Sequence, residues 1–262
     1  MVITDTQWTW FIQKLRDIDD RAAEEIKNFV YKNPRAFYDP ITRTYNLTDE
    51  VIQFAHAVAM KYGEASAALC AEMYDEIAAL EAVSVPPAVP APTATLREVY
   101  QTLYGVYEQS HDVEMLGAAT GRLTKQAGVD TTVQNAVRDG AEVAFVPHGE
   151  TCAYCIALAG GGWRDNASWA LGKDGHVAHC HANCDCTFAV RFSKNLRVAG
   201  YDEDMYHHMY YDADPGGSSR DKINAMRRQI YQANAEKIRE QKRDAYARSK
   251  ALESSEAEEK DV

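Results

Sequence analysis

Residues 143–163, VAFVPHGETCAYCIALAGGGW, and residues 176–192, HVAHCHANCDCTFAVRF, hold five of the six cysteines of the chain. Cys152 and Cys155 form a C-x2-C pair, and His181, Cys184 and Cys186 form an H-x2-C-x-C cluster. Zinc takes tetrahedral thiolate and imidazole donors, commonly as short-spaced pairs on two chain segments, and this stretch offers such pairs. Two other readings compete. Disulfides need an oxidising compartment, and no basic, apolar, small-residue leader opens the sequence. A thioredoxin-like redox pair would use Cys152 and Cys155, with residues 141–150 as a strand and residues 156–162 as a short helix. It leaves His181, Cys184 and Cys186 without a role.

Cys184, Cys186, Phe188, Val190 and Phe192 alternate with Asp185, Thr187, Ala189 and Arg191, the period of a strand with one buried face. Cys184 and Cys186 therefore point to one side. With Cys152 and Cys155 they would complete four thiolates, or one of them yields to His181. His176, His179 and Cys180 read as polar-loop residues beside that cluster. Four protein ligands leave no open position for a catalytic water, so such a site holds the fold together.

The order GETCAYCIALAGGGW followed by HANCDCTFAVRF resembles the signature of the phage Mu F-like minor head, or head-morphogenesis, proteins, particularly those of actinobacterial phages and prophages. The resemblance is close over residues 143–192 and extends by pattern to the helical region before it. It carries over the positions Cys152, Cys155, His181, Cys184 and Cys186. Where many relatives have a proline and an arginine in the second cluster, this chain has Ala182 and Asp185, which lowers the positive charge there. The resemblance implies a structural head component near the portal vertex. Its expected partners are the portal protein, other head proteins and packaged DNA, with no membrane and no small-molecule substrate. Its expected location is the virion, and the host cytoplasm during assembly.

Outward from the cysteines, the N-terminal part reads as helix. Trp8, Phe11, Ile12, Leu15, Ile18, Ala22, Ile26 and Phe29 recur at helical spacing from Asp5 to Lys32, and Thr4 with Gln7 makes a capping box. Asn33-Pro34 and Asp39-Pro40 break the run. Thr48, followed by Asp49 and Glu50, opens a second helix carrying Val51, Ile52, Phe54, Val58, Met73, Ile77 and Leu80. The two predict an antiparallel hairpin over residues 1–83. Residues 84–95, SVPPAVPAPTAT, hold four prolines among small residues and read as a linker. Thr95 and Glu98 cap a third helix. Gly117, Gly121 and Gly128 punctuate the helical stretch after it, and Thr131–Asp139 reads as one more short helix.

On the other side, residues 201–215, YDEDMYHHMYYDADP, read as a surface loop. The adjacent His207 and His208 do not share a face, which disfavours a second metal site. Ser219–Lys250 reads as one long helix with ten Lys or Arg against four Asp or Glu, followed by an acidic tail. Its thin apolar stripe, Ile223, Met226, Ile230 and Ile238, suits docking on a partner.

The expected fold is mainly α with a small α+β zinc-binding unit, between a long N-terminal helical hairpin and a long C-terminal helix. The expected divisions are residues 1–83, 84–95, 96–200 and 201–262. A net charge of −11 argues against a dedicated nucleic-acid binder, since phosphates call for a basic surface. No run of eighteen apolar residues is present. Gly160–Trp163 lacks the lysine and hydroxyl of a P-loop, and G-x-G-x-x-G, H-E-x-x-H and G-x-S-x-G are absent. A zinc deaminase would need its histidine and glutamate ahead of the C-x2-C, the reverse of the order here. The expectation is a protein without enzymatic activity. The alternative is a zinc-dependent nuclease or other hydrolase using His179 or His181.

Overall fold

The chain folds into two units in a computed structural model that describes residues 1–39, 41, 44–148, 151–165, 186–237, 239–240 and 242–243. The larger unit comprises Met1–Thr151 and Gly161–Glu203, and the smaller comprises Cys152–Gly160 and the chain from Asp204 on. The described residues are mainly helical, with three two-stranded sheets.

Helix α1 (Asp5–Lys32) starts where the sequence says it should. Thr4 accepts the Gln7 N–H while Gln7 Oε1 accepts the Thr4 N–H, so two otherwise orphaned donors are satisfied. It stops at Asn33, ahead of a 3-10 turn at Pro34–Ala36. Strands β2 (Tyr38–Asp39) and β3 (Thr44–Tyr45) pair antiparallel before helix α2 (Asp49–Leu80), capped by Thr48. Glu25 meets Lys61 and Tyr62, and Phe29 stacks on Phe54 at 4.1 Å, so α1 and α2 run antiparallel as expected. Helix α3 (Leu96–Ser110) has its own capping box, Thr95 with Glu98. Ile26, Val30, Phe37, Val51, Ala55, Val99, Leu103 and Leu116 form a core shared by α1, α2, α3 and the next helix.

That next helix corrects the reading of residues 113–139. Instead of pieces interrupted by glycine, α4 (Val113–Asp139) is one continuous helix ending at Gly140, whose φ of 67° suits a glycine. The glycines are packing positions. A Cβ at Gly121 would lie 3.1 Å from the Asp19 carbonyl oxygen, and one at Gly128 would lie 2.5 Å from Ser66 Oγ and 2.8 Å from Cys70 Sγ. Their missing side chains let α4 approach α1 and α2 closely, and burial offsets the weak helix propensity of glycine, roughly 1 kcal/mol each. Thr124 donates to Asp19 Oδ1 at 2.8 Å inside this contact. Cys70, its thiol pushed up to about 12 by burial, serves there as a small apolar side chain.

The proline-rich segment is tied along its length. Ala88 N–H donates to Asp75, Val89 N–H to Asn135 Oδ1 and Ala91 N–H to Thr131 Oγ1, while Asn135 Nδ2 returns a bond to the Val89 carbonyl. Arg138 donates to the carbonyls of Pro86 and Pro87 and grips Asp139, which also accepts from Tyr74. A spacer expected from composition is therefore a strap fastened to α2 and α4.

Strand β4 (Glu142–Val146) pairs antiparallel with β5 (Thr187–Arg191), Phe145 opposite Phe188. Thr187, Phe188, Ala189 and Val190 are all buried, so β5 is covered on both faces and not on the single face its alternation predicted. Arg191 pairs with Glu142 and lies over the Trp163 ring. Glu81, just past α2, accepts the Phe192 N–H and the Ser193 hydroxyl. Strand β1 (Val2–Ile3) runs parallel to β6 (Arg197–Val198).

Three helices carry the apolar cluster of the smaller unit. Helix α5 (Ala153–Ala159) packs on α7 (Ser219–Ala233) through Ala153, Ile156 and Met226, with Tyr206, Tyr210, Ile223 and Ile230 around them. Helix α6 (Glu203–Tyr211), which contributes those tyrosines, replaces the surface loop expected from the sequence. Helix α7 begins at a Ser218–Asp221 capping box and is interrupted at Asn234, whose N–H returns to Ile230; the described residues 235–237, 239–240 and 242–243 are helical again, so the expected Ser219–Lys250 helix is broken after Ala233. None of the helices among the described residues is long and apolar enough to cross a membrane.

Candidate functional site

Cys152 caps the start of α5, and its Sγ accepts the Cys155 N–H at 3.4 Å, while the Ile156 N–H bonds the Cys152 carbonyl at 3.0 Å. This tight turn follows from the C-x2-C spacing running into a helix. Cys155 is 1% exposed, and Cys152 is half-buried. Cys186 is 2% exposed in the residue just before β5. Cys70, Cys152, Cys155 and Cys186 are thiols, with no disulfide among the described residues.

His181 and Cys184 lie outside the described residues, as do His176, His179 and Cys180. Among the described residues no group of three or more His, Cys, Asp or Glu side chains is gathered as a metal ion requires. His207 lies with Nδ1 3.3 Å from the Gly160 carbonyl oxygen, and His208 with Nδ1 3.4 Å from Asp212 Oδ2, so the two imidazoles serve different neighbours.

The apolar stripe of α7 turns inward. Met226 is 2% exposed against Ala153 and Ile156, with Ile223 and Ile230 at the edge of the same cluster, while Ile238 lies outside the described residues. The exposed face of α7 is basic, carrying Arg220, Arg227 and Arg228.

A groove of about 730 Å³, with no counterpart among the sequence motifs, runs along α3 and α4 and is lined by Glu98, Gln101, Arg122, Gln126, Asp130 and Gln134, among others. The α4 residues 122, 126, 130 and 134 recur every four positions, a helical row visible in retrospect. Its counterpart on α3 becomes visible only once the two helices are paired. Asp130 has no hydrogen-bond or ion-pair partner among the described residues. Burial, helped by Glu98, pushes its carboxyl up to about 6.

The fold and these sites define a helical protein with a cysteine turn at a helix start and a polar groove between two of its helices. A family model described as VG15 protein matches residues 2–213, and the chain belongs to that family. The family points to a phage-encoded protein. No curated protein and no solved structure matches the chain.

Proposed function

We propose that the chain is a structural component of a tailed-phage head, a minor head or head-morphogenesis protein of the Mu F-like type from an actinobacterial phage or prophage. The observation that carries this reading is the Cys152–Cys155 turn in a chain of the VG15 family. On this reading the protein holds one structural zinc through Cys152, Cys155, Cys184 and Cys186, or with His181 in place of one of them. Four side-chain ligands leave no position for a reacting water, which supports a role in assembly over hydrolysis. The protein acts in the virion at the portal vertex, against the portal protein, other head proteins and packaged DNA. Its contact surface is the basic face of α7.

Zinc analysis after exhaustive dialysis is expected to give about one ion per chain. A metal-free, well-folded protein whose thiols all react would sink the zinc. Co-purification with the portal protein tests the assembly role. Arg220→Glu, Arg227→Glu and Arg228→Glu together are expected to abolish it while circular dichroism stays unchanged. If that triple variant still joins heads like the original chain, the basic face has no docking role.

A further inference from the structure

We infer that the groove between α3 and α4 is a binding site for a protonated alkylamine or alkylguanidinium group, received beside Asp130 and Glu98. A carboxylate withdrawn from water needs a cation or hydrogen-bond donors to replace its hydration. The other half-buried carboxylates of this bundle have them. Asp139 takes Arg138 and Tyr74, Asp19 takes Thr124, Glu142 takes Arg191, and Glu25 takes Lys61 and Tyr62. Asp130 departs from that pattern, and it does so on the wall of a cavity and not in packed core.

The walls supply what a cationic head group needs besides charge. Gln101 on α3 and Gln126 and Gln134 on α4 bring side-chain carbonyls, which accept from N–H donors. Glu98 is already fixed, its Oε2 accepting the Thr95 N–H at 2.7 Å and hydroxyl at 2.8 Å. Arg122, donating to Thr102 Oγ1 at 3.3 Å, is the cation among the lining side chains and repels a second positive charge placed beside it. The ligand charge therefore belongs at the Asp130 end, with an aliphatic stem along the groove, whose volume falls within the range of small-ligand pockets.

The charged group that acts on Asp130 is Glu98 from α3, while Arg122 lines the same groove two turns away on α4. Because the Asp130 carboxyl takes a proton at about 6 in the empty groove, cation binding weakens as pH falls through that value. Two sources offer the same chemistry: a free aliphatic polyamine, or a Lys or Arg side chain of a partner. The inference depends on neither the zinc nor the head assignment, and each can fail without the other.

Calorimetric titration of the full chain with agmatine, and separately with a short peptide carrying one arginine, distinguishes the sources. Saturable binding at pH 7.5 is expected, weaker by about tenfold or more at pH 5, as follows from neutralising one charge of a close pair. Asp130→Asn should abolish it, Gln134→Leu should weaken it, and Asp212→Asn, on an exposed carboxylate just past α6, should leave it unchanged. Tighter binding of agmatine assigns the groove to free amines, and tighter binding of the peptide assigns it to a side chain. If neither probe binds at millimolar concentration, or if binding is the same in Asp130→Asn, the groove is not a cation site.

Discussion

The two units are held together by different amounts of the same force. The larger one buries a continuous apolar core across four helices, closed by the glycine contacts of α4 and stitched at its edge by the proline strap. The smaller one buries six apolar residues among those described, Ala153, Cys155, Ile156, Ala159, Ala225 and Met226, most of them small, with half-covered tyrosines and isoleucines around them. Burial of apolar area scales with core size, so the larger unit has the means to stand alone. The smaller one, which carries the Cys152–Cys155 turn, has little margin. A ligand bound only by the folded form would add most, proportionally, to the unit with least core.

Four substitutions would break or sharpen this contrast. Gly128→Val drives a branched side chain into Ser66 and Cys70, and is expected to cost about 4 kcal/mol or to abolish soluble expression. A protein of unchanged melting temperature would show that α4 can move away. Met226→Ala should cost about 2–3 kcal/mol, confined to the smaller unit. Hydrogen exchange would then report lost protection in residues 204–233 with α1, α2 and α4 unaffected, and a uniform loss would mean the two units unfold as one. Asn135→Ala strips both Val89 backbone groups of their partner, at about 2 kcal/mol, and should open residues 86–92 to proteolysis. Resistance equal to the original chain would reduce the strap to a spacer.

The smallest effect has the opposite sign. The Asp130 carboxyl is raised from 3.8 to about 6, so the folded state holds its proton more tightly than the unfolded state does. Stability from this group is present below 3.8 and is lost as pH rises through 6. Asp130→Asn should thus stabilise the empty protein by about 1 kcal/mol at pH 7, discounting for remaining solvent contact, and by nothing near pH 3. Denaturant titrations at both pH values check the pair of expectations.

Legibility in the sequence followed the range of the interactions. The capping boxes of Thr4 with Gln7 and Thr95 with Glu98 connect residues three apart, and the helices begin where those pairs place them. Continuity of α4 through Gly121 and Gly128 was not legible, because its cause lies in Asp19, Ser66 and Cys70 on other helices. The strap was misjudged for the same reason, since Thr131, Asn135 and Arg138 lie 40 to 52 residues from the backbone they bind. Helix α6 was hidden by its mixture of acids, aromatics and histidines, whose inward positions, Tyr206 and Tyr210, declare themselves only against the cluster they join. At the candidate site, the C-x2-C pair is legible in the spacing of Cys152 and Cys155, whereas the helix start that Cys152 caps was not read from it, and the groove needs two helix rows from separate elements. His181 and Cys184 fall outside the described residues.

Pairing of β1 with β6 bears on how the chain reaches this fold at all. Val2 is matched with Arg197 and Ile3 with Val198, across almost two hundred residues. During synthesis from the N-terminus, the first strand waits, unpaired, until its partner emerges, at roughly 5–20 residues per second. The α1–α2 hairpin can close much sooner, because its contacts are local. Stopped-flow refolding should therefore show helix signal returning before the terminal strand pair forms, with β1 among the last elements to gain hydrogen-exchange protection.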